Sequence, residues 1–412
     1  MSTVKRSLEN NRKTVFAMGF FHSFMVLIPI FVPLLQGYGL SMSEVLQTQA
    51  LFALTIALCE VPSGYIADTW GRRNAVILGS ILNAFGFFSL LWADTFVDFL
   101  IYEFILGVGF SLISGADLAI LYDTEVYLQS IGKGNGTGKS LSRLIAIEAA
   151  ASGIAGIVAS VLLIWSMDAV VWVQAFTGFM PFILGLFLIE PPRPKRAVSN
   201  HRQNARHIVS LMLFDKPVVC WTVLAISVFG LLSLYIFWIY QKYWELQGIP
   251  LHQFGYIWAA FALTISVAAH YSGELEKMLG HRNLLILAAV LPIVGLLGMA
   301  FANGWLGVMF GFAIQASRGI SMAVFYEALN RRVSGDFRAT VNSLASLGVR
   351  GVFIVTGPVL GYVLDTQGMT KTLLGLLVVF TPIMGLALVP LLAQIKRESH
   401  EKQHDSEAVV VT

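Results

Sequence analysis

Twelve long apolar runs, separated by short polar segments, fill almost the whole 412-residue chain. They cover residues 14–37, 44–67, 74–93, 97–122, 143–165, 169–189, 217–241, 253–275, 283–302, 305–328, 341–364 and 372–394. A bilayer core takes roughly 20 apolar residues as helix, so each run predicts one transmembrane helix. The first run is too long for the apolar core of a signal peptide and lacks a clear small-residue cleavage site, so it counts as a helix. The longest polar stretch, 190–216, carries prolines that end the sixth run. It divides the chain into an N-terminal segment (1–13), a six-helix bundle (14–190), a central loop (191–216), a second six-helix bundle (217–394) and a tail (395–412). Residues 204–214 predict a short amphipathic helix lying on the membrane surface. The polar tail from Lys396 to Thr412 reads as disordered.

One polar island between apolar runs occurs twice. Residues 64–78 read GYIADTWGRRNAVIL and residues 273–287 read GELEKMLGHRNLLIL. At an offset of 209, Gly64, Gly71, Arg73, Asn74, Ile77 and Leu78 match Gly273, Gly280, Arg282, Asn283, Ile286 and Leu287. A second repeat, at an offset of 204, pairs Gly107, Gly115, Ala119 and Tyr122 with Gly311, Gly319, Ala323 and Tyr326, and sets Asp123 against Glu327. The drift between the offsets fits one small insertion or deletion. A duplicated polar hinge in an apolar chain implies two similar membrane bundles, the outline of a transporter.

Charge adds an orientation. With the N-terminus inside, the inside segments hold 23 of the 27 lysines and arginines, and the outside loops hold only Lys242 and Lys371. This bias supports twelve spans with both termini cytoplasmic. Charged residues are 12% of the chain, about half the share expected of a soluble domain. The cations fall in short clusters, which argues against nucleic-acid binding. Cys59 and Cys220 lie in apolar runs and give neither a disulfide framework nor a metal spacing. The loop IGKGNGTGKS at 131–140 fails as a phosphate-binding loop, because Lys133 stands at the required first glycine and no strand precedes it.

Gly64, Asp68, Gly71, Arg72 and Arg73 match G-x-x-x-D-x-x-G-R-[KR], the segment between helices 2 and 3 of the major facilitator superfamily. The resemblance covers the whole chain and implies that family's all-α fold of two pseudo-symmetric six-helix bundles. The second copy departs from the pattern, with Lys277 at the acidic place. Gly64 and Gly71 permit close helix approach and a tight turn. Asp68 suits a helix N-terminus; the resemblance implies that of helix 11, near Ala339. Arg72 or Arg73 can pair with Asp123, and together these residues would latch the cytoplasmic side shut. The plainer reading makes both arginines anchors at the positive-inside face.

Ionisable groups inside a bilayer cost several kcal/mol and mark functional sites. Glu60, Glu103, Asp117 and Glu148 fall in runs of the first half; Arg318 and Arg350 fall in the second. The resemblance implies that helices 1, 4, 7 and 10 line a central cavity, which selects Glu103, Asp117 and Arg318. Exporters of the family often carry an arginine four residues before a helix-4 glycine; Glu103 stands there, four before Gly107. A carboxyl in a low-dielectric cavity suits proton exchange, and a hydrated place near the outer interface is the alternative. Asp117 can carry protons or pair with Arg143 or Arg350. Glu148 can form a buried pair with Arg350, and His22 can shuttle protons, with a hydrogen-bonded packing role as the alternative. Arg318 with Gln315 can bind an anionic group, or Arg318 can instead neutralise Asp117 across the cavity; Arg350 is a further candidate for the anion or a partner for a buried pair. Tyr235 and Trp238 can stack on an amphipathic substrate, with packing and the interfacial belt as the alternative.

The expectation is a monomeric secondary transporter in a bacterial inner membrane, exchanging protons for a small organic molecule such as a drug, metabolite or siderophore. Proton-coupled uptake is the alternative, and a receptor or scaffold a more distant one. No cofactor, metal or enzymatic centre is expected.

Overall fold

The structure, a computed structural model, describes the backbone of residues 2–192, 217–333 and 335–411 and the side chains of 8–192, 218–333 and 341–394. The expected surface helix at 204–214 lies outside the described residues. Among the described residues every regular element is a helix, and twelve spans are long and apolar enough to cross a membrane. Spans 1 to 6 are Leu8–Gly37, Met42–Thr69, Arg72–Trp92, Phe96–Ser130, Thr137–Leu162 and Met167–Gly185. Spans 7 to 12 are Val218–Leu246, Leu251–His270, His281–Phe301, Gly304–Arg332, Val341–Gln367 and Met369–Gln394.

Short polar signals start several spans. Ser41 and Glu44 form a capping box at the start of span 2, and Thr95 and Asp98 form another at span 4. Each satisfies amide groups that the first helical turn leaves without partners. Ser166 caps span 6 through the Ala169 amide. The tail differs from its expectation, because the helix of span 12 runs on to Val411. Extending a formed helix needs no new nucleus, and the tail's three Glu, two Lys and one Arg are good helix formers.

Two spans are broken inside continuous apolar runs. Span 1 loses helical bonding after Ser23 and resumes at Ile28 and Phe31, where Pro29 and Pro33 remove amide donors. Two buried glutamines repair the break: Gln174 accepts from the Leu27 amide at 3.4 Å, and Gln241 from the Val32 amide at 2.8 Å. Span 4 stops at Ile113 and restarts at Ala116, with Gly115 at φ +82°. A left-handed backbone there favours glycine.

The chain forms two compact units. The first holds residues 1–195, 240–263 and 353–366; the second holds 196–239, 264–352 and 367–412. In the first unit, Val15, Met18, Ala75, Val76, Ile120 and Leu144 form a buried core beneath the hinge between spans 2 and 3.

Candidate functional site

The hinge in the first unit turns at Gly71, whose φ of +106° lets the chain reverse between spans 2 and 3. Arg72 forms an ion pair with Asp123 and also donates to the Ala119 carbonyl at 3.1 Å. Arg73 reaches carbonyls just past the C-terminal end of span 6, donating to Leu188 at 2.6 Å and to Leu186 at 3.2 Å. In return, the Glu190 carboxylate accepts from the backbone amides of Arg72 at 3.2 Å and Arg73 at 2.8 Å. An acid thus sits at the positive end of one helix and a base at the negative end of another. Arg12 pairs with the fully buried Glu125 at 3.2 Å and adds a further tie on this face.

Asp68 is exposed near the end of span 2. The side chain of Ala339, at its expected partner helix, lies outside the described residues. No described atom lies within 4 Å of a Cβ built on Gly64, so the close helix approach expected at Gly64 is absent among the described residues.

The second copy keeps the turn and makes other bonds. Gly280 adopts φ +80°, and Asn283 donates to the Leu279 carbonyl as Asn74 does to Trp70. Glu276 and His281 bond at 2.8 Å across the turn, while Glu327 pairs with Arg331 on its own helix.

A small group of ionisable side chains lies deeper in the first unit. His22 of span 1 and Asp117 of span 4 both line an internal cavity of about 10 Å³, close to the least that one water needs. Gly19 lines the same cavity, and the Glu148 carboxylate of span 5 lies 3.3 Å from the position of a Cβ built there. Glu148 is close enough to Asp117 for their charges to interact. The Asp117 carboxylate accepts from the Leu118 amide at 2.7 Å, beside the break in span 4. The His22 ring packs on Phe110 at 4.6 Å. Arg143, one expected partner of Asp117, lies over the Phe16 ring at 5.4 Å.

Glu103 lies apart from this group. It is 3% exposed and accepts a hydrogen bond from Gln49 of span 2. It therefore packs between helices rather than sitting hydrated at an interface.

The second unit holds a larger cavity of about 330 Å³ between spans 7, 10 and 11. Arg318 and Arg350 both line it, with Phe229, Phe237, Phe325 and Tyr326 among the aromatic walls. Gln315, Tyr235 and Trp238 are buried and are not part of its wall. Tyr235 packs edge-on against Phe380, and Trp238 against Phe237. Among the described residues, no three His, Cys, Asp or Glu side chains cluster as metal ligands would.

Sequence reasoning did not single out Glu190, Glu125, Gln174 or Gln241. The targets of Glu190 and of both glutamines are backbone amides, which leave no mark in a sequence.

Twelve apolar spans and a duplicated hinge define a multi-pass membrane protein of transporter type. The Major Facilitator Superfamily model matches residues 14–349, and the chain belongs to that family. It is a transporter rather than an enzyme. A bicyclomycin resistance protein homolog from Haemophilus influenzae is 22% identical over 83% of this chain and 85% of its own length. An uncharacterized transporter from Buchnera aphidicola subsp. Schizaphis graminum is 24% identical over 57% of this chain; that match spans 58% of the relative's length. Among solved structures, a D-xylose-proton symporter superposes with a TM-score of 0.73 at 13% identity, covering 95% of this chain and 97% of the other. A single-residue mutant of the nucleoside transporter NupG superposes at 0.72 and 13% identity, covering 95% and 99%. A likeness at such identity shows the fold alone.

Proposed function

We propose that this transporter is a proton-coupled antiporter that exports a small organic molecule by alternating access of two six-span halves. The observation that carries the reading is the meeting of His22, Asp117 and Glu148 from three different spans. Ionisable side chains within a bilayer are costly, and a proton relay is one of the few uses that justifies them. In this reading Asp117 and Glu148 take and release the proton, and His22 passes it on. The Arg318 and Arg350 cavity receives the cargo. Gly64, Asp68, Gly71, Arg72, Arg73 and Asp123 hold the cytoplasmic side closed while the site faces out. Support for export comes from the printed name of the Haemophilus relative, a bicyclomycin resistance homolog. The cation bias of the loops and the bacterial relatives support a bacterial cell membrane with both termini cytoplasmic.

The test is transport by purified protein in proteoliposomes under an imposed pH gradient, against a panel of compounds. Antiport accumulates cargo in vesicles with an acidic lumen, whereas symport accumulates it when the acid is outside. Asp117→Asn and Glu148→Gln are each expected to abolish gradient-driven accumulation while keeping cargo exchange without a gradient. Full proton-driven flux in both variants would sink the reading.

A further inference from the structure

Span 3 carries a buried hydroxyl that its own helix does not satisfy. Ser80 is 0% exposed, and its Oγ has no hydrogen-bond partner among the described residues. Serines in other spans donate back to the carbonyl three or four residues earlier: Ser63 to Glu60, Ser111 to Val108 and Ser227 to Val223. Ser80 instead lines the internal cavity of about 10 Å³, together with His22 and Asp117. We propose that this cavity binds one water molecule, held by Ser80, His22 and Asp117, and that Ser80 is its positioning residue. The role given to that water rests on the reading of Asp117 and His22 as part of the proton path.

Size and polarity both fit a water. A buried water needs about 10–15 Å³ of space and roughly two to four polar partners. The cavity reaches the lower figure and offers partners from spans 1, 3 and 4, and its other lining residues are apolar. A buried hydroxyl left unpaired is costly, and one water satisfies it without moving a helix. The hydroxyl both donates and accepts, so it holds the water in either protonation state of its neighbours. A hard cation takes about six oxygen ligands, whereas the lining side chains supply only those of Asp117 and Ser80. In the proton path, the Asp117 carboxyl gives its proton to the water oxygen as the water gives one of its own to the unprotonated nitrogen of the His22 ring. The oxygen keeps two hydrogens throughout. Of the other charged groups on the packed spans, Glu148 lies close to Asp117, Arg143 lies over Phe16, and Arg72, Asp123 and Glu190 are bonded at the hinge. None of these lines the cavity.

Infrared difference spectra of the full-length purified protein, taken between acid and alkaline pH, test the site. In water enriched in oxygen-18, the O–H band of a bound water shifts and that of a side-chain hydroxyl does not. The wild type is expected to show such a band, and Ser80→Ala to lose it. Proteoliposomes test the role. Ser80→Ala should lower the ratio of proton-driven flux to gradient-free cargo exchange at least about tenfold. Ser80→Gly leaves room for a second water where the hydroxyl stood, so it should recover most of that ratio. A purely structural loss predicts the opposite order, because glycine weakens a helix more than alanine.

No oxygen-18-sensitive band in the wild type, or one that survives Ser80→Ala, would overturn the proposal. So would an unchanged flux ratio in Ser80→Ala, or a ratio lower in Ser80→Gly than in Ser80→Ala. These outcomes are separate from failure of antiport itself. If Asp117→Asn loses proton-driven flux and Ser80→Ala keeps it, antiport stands and the water link falls. If the band depends on Ser80 but the wild type shows no proton-driven flux, the water site stands and antiport falls.

Discussion

Glu190 and Arg73 exchange helix ends: the carboxylate closes the start of span 3, and the guanidinium closes the end of span 6. Removing the charge but keeping the shape, as in Glu190→Gln, should cost about 0.5–2 kcal/mol. Thermal unfolding in detergent reads this as a lower midpoint, and an unchanged midpoint would mean that the carboxylate's charge is idle. Arg72 and Asp123 make a more direct pair. A double-mutant cycle with Arg72→Gln and Asp123→Asn should return a coupling of roughly 0.5–3 kcal/mol, and additive effects would refute the pairing. The Asp123 contact was legible in the sequence, because an acid at the end of the fourth run can meet arginines at a glycine hinge. Glu190 was not legible. An acid before Pro191 reads as a helix end, and nothing in its neighbours announces two bare amides beyond it. Glu103 shows the opposite limit: its place on span 4 was clear, but its partner Gln49 depends on how span 4 rotates against span 2.

Matched repeat positions can do different work once they are inside helices. Gly115 breaks span 4 with a left-handed backbone, whereas Gly319 lies inside the unbroken span 10 against the Ile265 carbonyl of span 8. Gly115→Ala should cost about 1–2 kcal/mol through backbone strain. Gly319→Ala should instead push spans 8 and 10 apart, because a Cβ there meets backbone that cannot give way. Cysteine cross-linking between those spans separates the cases: only the Gly319 variant should lose efficiency, and equal loss in both would contradict the distinction. The sequence aligned these glycines but not their roles, since apolar residues run straight through the break. Asp365 was likewise unmarked. At the end of span 11 it accepts from the Met42 and Ser43 amides at 3.0 and 2.8 Å, which start span 2. Asp365→Asn removes the charge from that positive helix end and should weaken the contact by about 1 kcal/mol. A thiol placed by Ser43→Cys should then react faster with a polar maleimide. An unchanged rate would show that the contact does not hold this end closed.

At the scale of the molecule, duplication gave two copies that carry opposite charge. Asp117 and Glu148 lie in the first unit; Arg318 and Arg350 lie in the second. Twelve spans and the paired hinges were legible, because each depends on local runs and spacing. The grouping of His22 with two acids was not, because it needs three spans brought to one depth. The division of charge has an energetic consequence if protons use the first unit and an organic anion uses the second. Moving one proton in and one monoanion out carries the equivalent of two positive charges inward. Each charge is worth about 2.3 kcal/mol per 100 mV, so an inside-negative potential of 100 mV adds about 4.6 kcal/mol to export. Symport of the same anion with one proton moves no net charge and gains nothing from the potential. In proteoliposomes clamped with potassium and valinomycin, export of a bound carboxylate should therefore accelerate as the lumen becomes negative, at constant pH gradient. Flux indifferent to the potential would exclude this one-for-one exchange and favour the electroneutral alternative.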